Sequence, residues 1–271
     1  MSKPSKKPEV VLVVSDTHCG SDVGLLPEEV YLDDGQKIGY GKNKWQEWLW
    51  KSFQETQKTL LAKIGNDPFI LVCNGDLIEG IHHRSDEVVA AKIMEHLTIA
   101  KVALGPLIEK AHTSYFVRGT ECHVRDLETV VAKEFGAGKA HDFIQFDVNG
   151  VMVDARHHMP TTTRLHLEST ALGVIAANNR SNAVRAGHKP ARVFLRGHRH
   201  LAGVYSDGEC LAACTGAWQG LTRFGKKVVT DAIPRPSMLL LDWRGLPTGQ
   251  LPSITHTVCN PPQQLVAHCI P

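Results

Sequence analysis

Five short stretches of this chain carry side chains that bind metal ions: D-T-H at 16–18, G-D at 75–76, G-T-E-C-H at 119–123, the adjacent His157 and His158, and G-H-R-H at 197–200. Imidazole nitrogens together with carboxylate oxygens suit zinc, manganese, iron and similar divalent ions, whereas calcium and magnesium prefer oxygen alone. In D-x-H and H-x-H the donors stand two positions apart, and at a strand end or in a tight loop this spacing aims both at one locality. A glycine immediately before Asp76 lets the backbone turn tightly and come close to an ion. One such pair is ordinary loop polarity. Five in series, each after an apolar strand, form a pattern.

The elements that must position these residues are legible as apolar runs. Residues 10–15, 69–73, 114–117 and 193–195 are short, continuous aliphatic or aromatic runs, the pattern of strands buried on both faces, and each ends at one of the motifs. Residues 143–148 and 151–155 read as a hairpin across Asn149-Gly150, the favoured two-residue turn, and this hairpin runs into His157 and His158. Residues 45–64 carry Trp45, Trp48, Leu49, Phe53, Leu60 and Leu61 at helical spacing. A second helix is expected over 85–110, capped at Ser85, and a third over 163–186, broken near Asn178, Asn179, Ser181 and Asn182. Alternating strands and helices predict an α/β domain with its site at the carboxyl ends of the strands.

Composition sets the outer limits. A chain of 271 residues with 42% hydrophobic residues supports an ordinary core. It reads as one domain spanning 1–271, with 20–44 a candidate flap and 252–271 an unassigned C-terminal tail. Thirty Lys and Arg against 28 Asp and Glu leave +2, so no global field attracts a polyanion and any nucleic-acid contact must be local. The seven cysteines include no C-x-x-C pair and read as free thiols in a reducing compartment. With no apolar run of membrane-spanning length and no signal-type stretch, the expectation is a cytoplasmic protein of a bacterium or of a phage-infected cell. The 15 histidines are the conspicuous excess.

In this order the motifs resemble the calcineurin-like metallophosphoesterase superfamily, whose pattern is D-x-H, G-D, G-N-H-[DE], an isolated His and G-H-x-H. The resemblance covers residues 10–216 and implies a four-layer α/β/β/α sandwich holding two divalent metal ions, manganese foremost, with zinc, iron or nickel as alternatives. Carried over by position, Asp16, His18 and His200 would hold one ion, Asp76 would bridge both, and His198 with either His157 or His158 would hold the second. Strand alternation favours His157 and the motif context favours His158. The chain departs from the family at residues 119–123, where Thr120 stands in the place of the metal-binding Asn. Glu121 is then a further ligand candidate, and His123 a ligand or the catalytic imidazole.

What the resemblance implies is hydrolysis of a phosphoester. Two cations about 3.5–4 Å apart lower the pKa of a water and stabilise both oxygens of an in-line displacement. Hydroxide is then the nucleophile, and Cys19 and Cys122 fill space. An imidazole that protonates the leaving oxygen adds about 100- to 10,000-fold, a role assigned to His123. Arg118, Arg125 and Arg199, with His83, are the candidate substrate contacts among the arginines near these loops, because a guanidinium matches phosphate oxygens in pairs. Trp45 and Trp48 read as a core face and not as a base-stacking platform; only Trp50 falls off the stripe. The expected substrate is a phosphodiester, nucleic acid or nucleotide included. A monoester is the alternative, and a degenerate phosphate-binding protein without activity is the reading from another class. Oligomeric state is left open.

Overall fold

The computed structural model describes residues 6–81, 87–121, 126–159, 168–228 and 233–265. Two five-stranded sheets form its centre. The first contains β1 (Val10–Val14), β4 (Phe69–Asn74), β5 (Thr113–Val117), β11 (Ser237–Asp242) and β12 (Ser253–Val258), in the order β12-β11-β1-β4-β5. The second contains β6 (Ile144–Val148), β7 (Val151–Ala155), β8 (Val193–Arg196), β9 (Gly203–Ser206) and β10 (Leu211–Cys214), in the order β6-β7-β8-β10-β9. A small ribbon, β2 (Val30–Tyr31) with β3 (Lys37–Ile38), stands apart. The helices are α1 (Lys44–Ile64), α2 (Ile93–Lys110), α3 (Leu127–Glu134), α4 (Glu168–Arg185) and α5 (Arg223–Val228).

Alternation along β1 shows how the layers are built. Every residue of the strand is buried. Val10, Leu12 and Val14 face a cluster that includes Leu49 and Phe53 of α1 and Leu97 and Leu104 of α2. Val11 and Val13 face the other way, into a cluster with Val153 of β7 and Leu195 of β8. A third cluster joins Leu172, Ile175 and Ala176 of α4 to Phe194 and Ala212 on the outer face of the second sheet. Helices, first sheet, second sheet and helix therefore follow one another. Each fully buried aliphatic side chain contributes about 1.5–3 kcal/mol to holding the stack.

The same topology sets where the site lies. β1, β4 and β5 run parallel in the first sheet, and β7, β8 and β10 run parallel in the second. Their register is tight: Val10 lies opposite Phe69, and Ile70 opposite Thr113. Parallel strands present their carboxyl ends along one rim of a sheet.

Several elements differ from the sequence expectation for local reasons. Helix α2 begins at Ile93 with Lys92 as N-cap, because Val88 bridges Ser21 and the Val89 amide donates to the Gly20 carbonyl at 2.8 Å, committing residues 87–89 to extended structure. The expected cap, Ser85, lies outside the described residues, as does 163–167 at the expected start of the third helix. Helix α4 runs unbroken through Asn178, Asn179, Ser181 and Asn182. The Asn179 amide donates to the Ile175 carbonyl one turn back at 2.9 Å, and the buried stripe on Phe194 outweighs the weak propensity of the asparagines. Residues 20–44 seat Leu25, Leu26, Val30 and Leu32 in the first core cluster. The tail from 252 contains β12, an edge strand paired antiparallel with β11. Trp45 is buried and donates its indole N–H to the Val23 carbonyl at 3.0 Å, while Trp48 and Trp50 pack against the same core. Among the described residues, no helix is long and apolar enough to cross a membrane.

On β12, His256 lies opposite Leu239, with its Nε2 2.9 Å from the Ser237 hydroxyl. Burial, with the charge of Arg235 acting in the same direction, pulls the imidazole down to about 4 from its ordinary 6.5. The unfolded chain therefore takes up this proton first as pH falls. The stability it represents is whole above pH 6.5 and is lost progressively toward pH 4. Urea midpoints measured between pH 7 and pH 4.5 should fall less steeply in His256→Gln than in the unsubstituted protein.

Candidate metal centre

The strand ends bring six donors together in two abutting groups. Asp16, His18 and His200 form one; Asp76, His157 and His198 form the other; within each group the donor atoms lie within 4.8 Å of one another. The groups meet at their carboxylates: Asp76 Oδ2 is 3.0 Å from His157 Nε2 and 4.0 Å from His18 Nε2, while Asp16 Oδ1 is 3.6 Å from His200 Nε2 and 4.0 Å from His157 Nε2. Asp16, His18, Asp76 and His157 are buried, and the two imidazoles from G-H-R-H are partly open to solvent. The site has a closed floor and an accessible side.

Loop backbones tie these donors into one body. The Asp16 amide donates to the Gly75 carbonyl at 2.8 Å and the His18 amide to the Asp76 carbonyl at 3.0 Å, locking the loops after β1 and β4 together. The His198 amide donates to Asp16 Oδ1 at 3.0 Å, and the Trp218 amide to the Asp16 carbonyl at 2.9 Å. Ser15 donates its hydroxyl to Asp16 Oδ2 and lies 2.5 Å from the Thr215 hydroxyl. Five of the six donors hold left-handed backbone: φ is 52° at Asp16, 43° at His18, 50° at Asp76, 71° at His198 and 59° at His200. Such conformations cost about 1–3 kcal/mol each and persist where surrounding structure enforces them, which is common at functional sites. Among the described residues, the only other non-glycine case is Asn149 in the hairpin turn.

Glycines provide the space. A Cβ on Gly119 would collide with Asp76 Oδ1 and with the Asp76 backbone, and one on Gly197 would stand 2.7 Å from Asp16 Oδ2 and 3.0 Å from Ser15 Oγ. Gly119 and Gly197 are thus steric requirements of the Asp76 and Asp16 carboxylates, while a Cβ on Gly75 would stand 2.5 Å from His157 Nδ1.

The charge state of the bare site shows what it suits. Burial pushes the Asp16 carboxyl up, with His157 opposing and Asp76 adding to the rise. Burial pulls against protonation of His157, yet the charges of Asp76 and Asp16 outweigh it and raise that imidazole to about 10. Burial likewise opposes a charge on His18, where a hydrogen bond to Glu79 and its charge leave a net rise. His200, although its ring reaches solvent on one side, is driven down by the desolvating protein around it and by the neighbouring His18. Meanwhile His18 Nε2 and His200 Nε2 stand 3.1 Å apart, two ring nitrogens facing each other beside Asp16. With Nδ1 of His18 engaged by Glu79, loss of the Nε2 proton would turn a lone pair toward His200 and the carboxylates. This crowding of electron-pair donors fits divalent cations, which need deprotonated ligands and would replace the shared protons.

Sequence-stated candidates distribute unevenly over this geometry. His157, not His158, belongs to a donor group; His158 is exposed, its ring stacked on His198 at 4.9 Å between centroids. Glu121 is exposed and belongs to neither group. Thr120 sits among the second group: its amide donates to Asp76 Oδ1 at 2.6 Å, its hydroxyl donates to Asp76 Oδ2 at 3.0 Å, and that hydroxyl lies 3.1 Å from His198 Nδ1. Arg118 pairs with Asp126 and Asp142 at 3.3 and 3.2 Å, and Arg199 lines a small cavity with Met159 and Leu172. His83, His123 and Arg125 lie outside the described residues. Arg156 and Arg196 both engage Asp154; Arg196 is buried and ties Asp154 Oδ1 at 2.9 Å to the backbone of β7 and β8.

Two buried acids beside the donors went unread in the sequence. Glu79 accepts from His18 Nδ1–H at 2.8 Å and from the Gln219 amide at 2.9 Å. Glu128 accepts from the amides of Gly119 at 2.6 Å and Leu77 at 3.1 Å, and burial together with the Asp76 charge pushes it up to about 7. The signal for Glu79 was an acid set in the apolar run L-I-E-G directly after the G-D motif. Glu128 lies on α3 among ordinary helix polarity and carried no such mark.

The chain matches no family model and no curated protein. Among solved structures it is similar to an archaeal phosphodiesterase, at 11% identity and TM-score 0.46 over 92% of this chain and 99% of that one. It is also similar to the phosphoesterase YfcE from E. coli, at 14% identity and TM-score 0.40 over 93% and 100% of the two chains. A third is Vps29 from Entamoeba histolytica complexed with Zn2+, at 12% identity and TM-score 0.44 over 93% and 98%.

Two outcomes follow for single substitutions. Gly119→Ala should displace Asp76 and weaken divalent-cation uptake, measured by titration calorimetry, by at least about tenfold, in the range that disturbing a ligand's support costs. Arg196→Ala removes the buried partner of Asp154 but leaves it Arg156 and Gln145, and should lower unfolding free energy in urea by about 1.5–3 kcal/mol, the range of a hydrogen bond to a charged group.

Proposed function

We propose that this chain is a calcineurin-like metallophosphoesterase that hydrolyses phosphodiesters with two divalent cations. One observation carries the reading: Asp16, His18, Asp76, His157, His198 and His200, drawn from strand ends of two different sheets, form two adjoining donor groups of three. In this reading Asp16, His18 and His200 hold one ion, Asp76, His157 and His198 the other, and Asp76 lies where both can use it. Mn2+ is the ion proposed, with zinc, iron or nickel as alternatives. When bound, such ions supply Lewis acidity toward phosphate oxygens and a nucleophile from water near neutral pH.

The residues of the chain supply the rest. Asp16 and Asp76 are buried, each accepts from a loop amide, and together they would hold such cations in place on the floor of the site. His198 and His200 form the open side, through which both ester arms of a diester can leave the centre. That openness favours a diester, such as a nucleotide or a nucleic-acid strand, over a small enclosed monoester. His123 is the proposed proton donor to the leaving oxygen, from its place in the G-T-E-C-H motif of the sequence. Arg118, Arg125, Arg199 and His83 remain the proposed phosphate contacts. The buried thiols of Cys19, Cys73 and Cys210 fit a reducing compartment such as the cytoplasm.

One observation favours a second reading, a phosphate-binding protein without turnover: Thr120, a weaker donor, stands where the family pattern has a metal-binding Asn, and its hydroxyl is engaged with Asp76 and His198. Hydrolysis of bis(p-nitrophenyl) phosphate and of the p-nitrophenyl monoester, with Mn2+ added and then chelated, separates the readings. The expected result is turnover of the diester above the monoester, lost on chelation and lowered about 100-fold or more in His198→Ala, the upper end of what losing even an outer support of a ligand costs. Monoester preference overturns the substrate class. Absence of turnover with every divalent ion overturns the enzyme.

A further inference from the structure

Three donor imidazoles show what lies behind the ring, and the partners differ. His157 donates Nδ1–H to the Asn74 backbone carbonyl at 2.7 Å. His198 Nδ1 lies 3.1 Å from the Thr120 hydroxyl. His18 Nδ1 meets a carboxylate, Glu79 Oε2, at 2.8 Å, the only such pairing of a donor ring among the described residues. Glu79 is itself 3% exposed and held in place, because the same oxygen accepts from the Gln219 amide at 2.9 Å and Gln219 is 4% exposed. Glu128, the other buried acid nearby, directs its oxygens to the amides of Leu77 and Gly119 and to no ring.

A carboxylate behind a ligating imidazole fixes the tautomer, holds the ring's orientation and makes the opposite nitrogen a stronger base. Backbone carbonyls and hydroxyls fix orientation with less effect on basicity, because they carry no net charge. Glu79 also adds a second buried negative charge behind the Asp16 group, in surroundings where a cation interacts with it more strongly than in water.

We propose that Glu79 is a positioning residue that makes Asp16, His18 and His200 the stronger of the two cation sites, so that the two ions load in order. This rests on the reading that both groups hold divalent cations. It adds a regulatory consequence: at low metal concentration the protein holds one ion in the Asp16 group, and the pair is complete only when the Asp76, His157 and His198 group fills.

The test is a Mn2+ titration of the full chain after chelator treatment and dialysis, followed by calorimetry, with free Mn2+ counted by electron paramagnetic resonance. The unsubstituted protein should bind in two resolved steps. Glu79→Gln keeps the acceptor oxygen and removes the charge, and it should weaken the tighter step by about 10- to 100-fold while leaving the weaker one unmoved. Gln219→Met, which loosens Glu79 but preserves its charge, should weaken the same step by a smaller factor and gives the same answer should Glu79→Gln fail to fold. Thr120→Ala, which touches Asp76 and His198, should shift the weaker step more than the tighter one. Two steps with the tighter one unchanged in both Glu79→Gln and Gln219→Met, or both steps weakened equally, overturn the proposal alone. No uptake of Mn2+ by the unsubstituted protein overturns the cation reading, and this proposal with it.

Discussion

Two buried carboxylates, Asp16 and Asp76, facing a ring of imidazoles are the constraint around which the rest of the chain is arranged. Removing a carboxylate from water costs several kcal/mol after relaxation, and the cost is met only by close, well-oriented partners. Here those partners are loop amides, the Ser15 hydroxyl, His157 and the remaining donors. The interior is therefore built to tolerate concentrated negative charge at one rim. Left-handed backbone at five donors and glycines without room for a Cβ are what the fold concedes to keep it there.

That concession is possible because the two sheets behind the rim are stiff and apolar. β1 and β4 are buried throughout, and the aliphatic cluster between the sheets fixes their separation. Five parallel strands from two sheets then deliver their loops to one place, and amide-to-carbonyl bonds between those loops remove the remaining freedom. Strain is localised where donors are needed, and regular packing is kept everywhere else.

Imidazoles in this centre are not equivalent, although their spacing in the chain treats them alike. His18 is backed by a carboxylate, His157 by a peptide carbonyl and His198 by a hydroxyl, and His200 stands 3.1 Å from His18. Basicity at a metal centre is set by what the far nitrogen meets. Thr120 shows the same principle from the other side: a residue poor as a ligand is placed to orient two better ones, Asp76 and His198.

Much of this was present in the linear order of residues. Buried strands, the Asn-Gly hairpin, the amphipathic α1 and the five motifs at strand ends are local signals, since hydrophobic period and turn chemistry are properties of neighbouring residues. The chain by itself determined which side chains could act as donors and that each would follow a strand. It left His157 and His158 undivided, gave no role to Glu79 or Glu128, started α2 too early and broke α4 at its asparagines. Most of those matters are decided by packing and by contacts between separate segments, such as His18 with Glu79, 61 positions away, and with His200, 182 positions away. Only tertiary structure assembled the groups and ranked their members, because burial, the partner of a ring nitrogen and the room beside a carboxylate exist only once distant strands have packed.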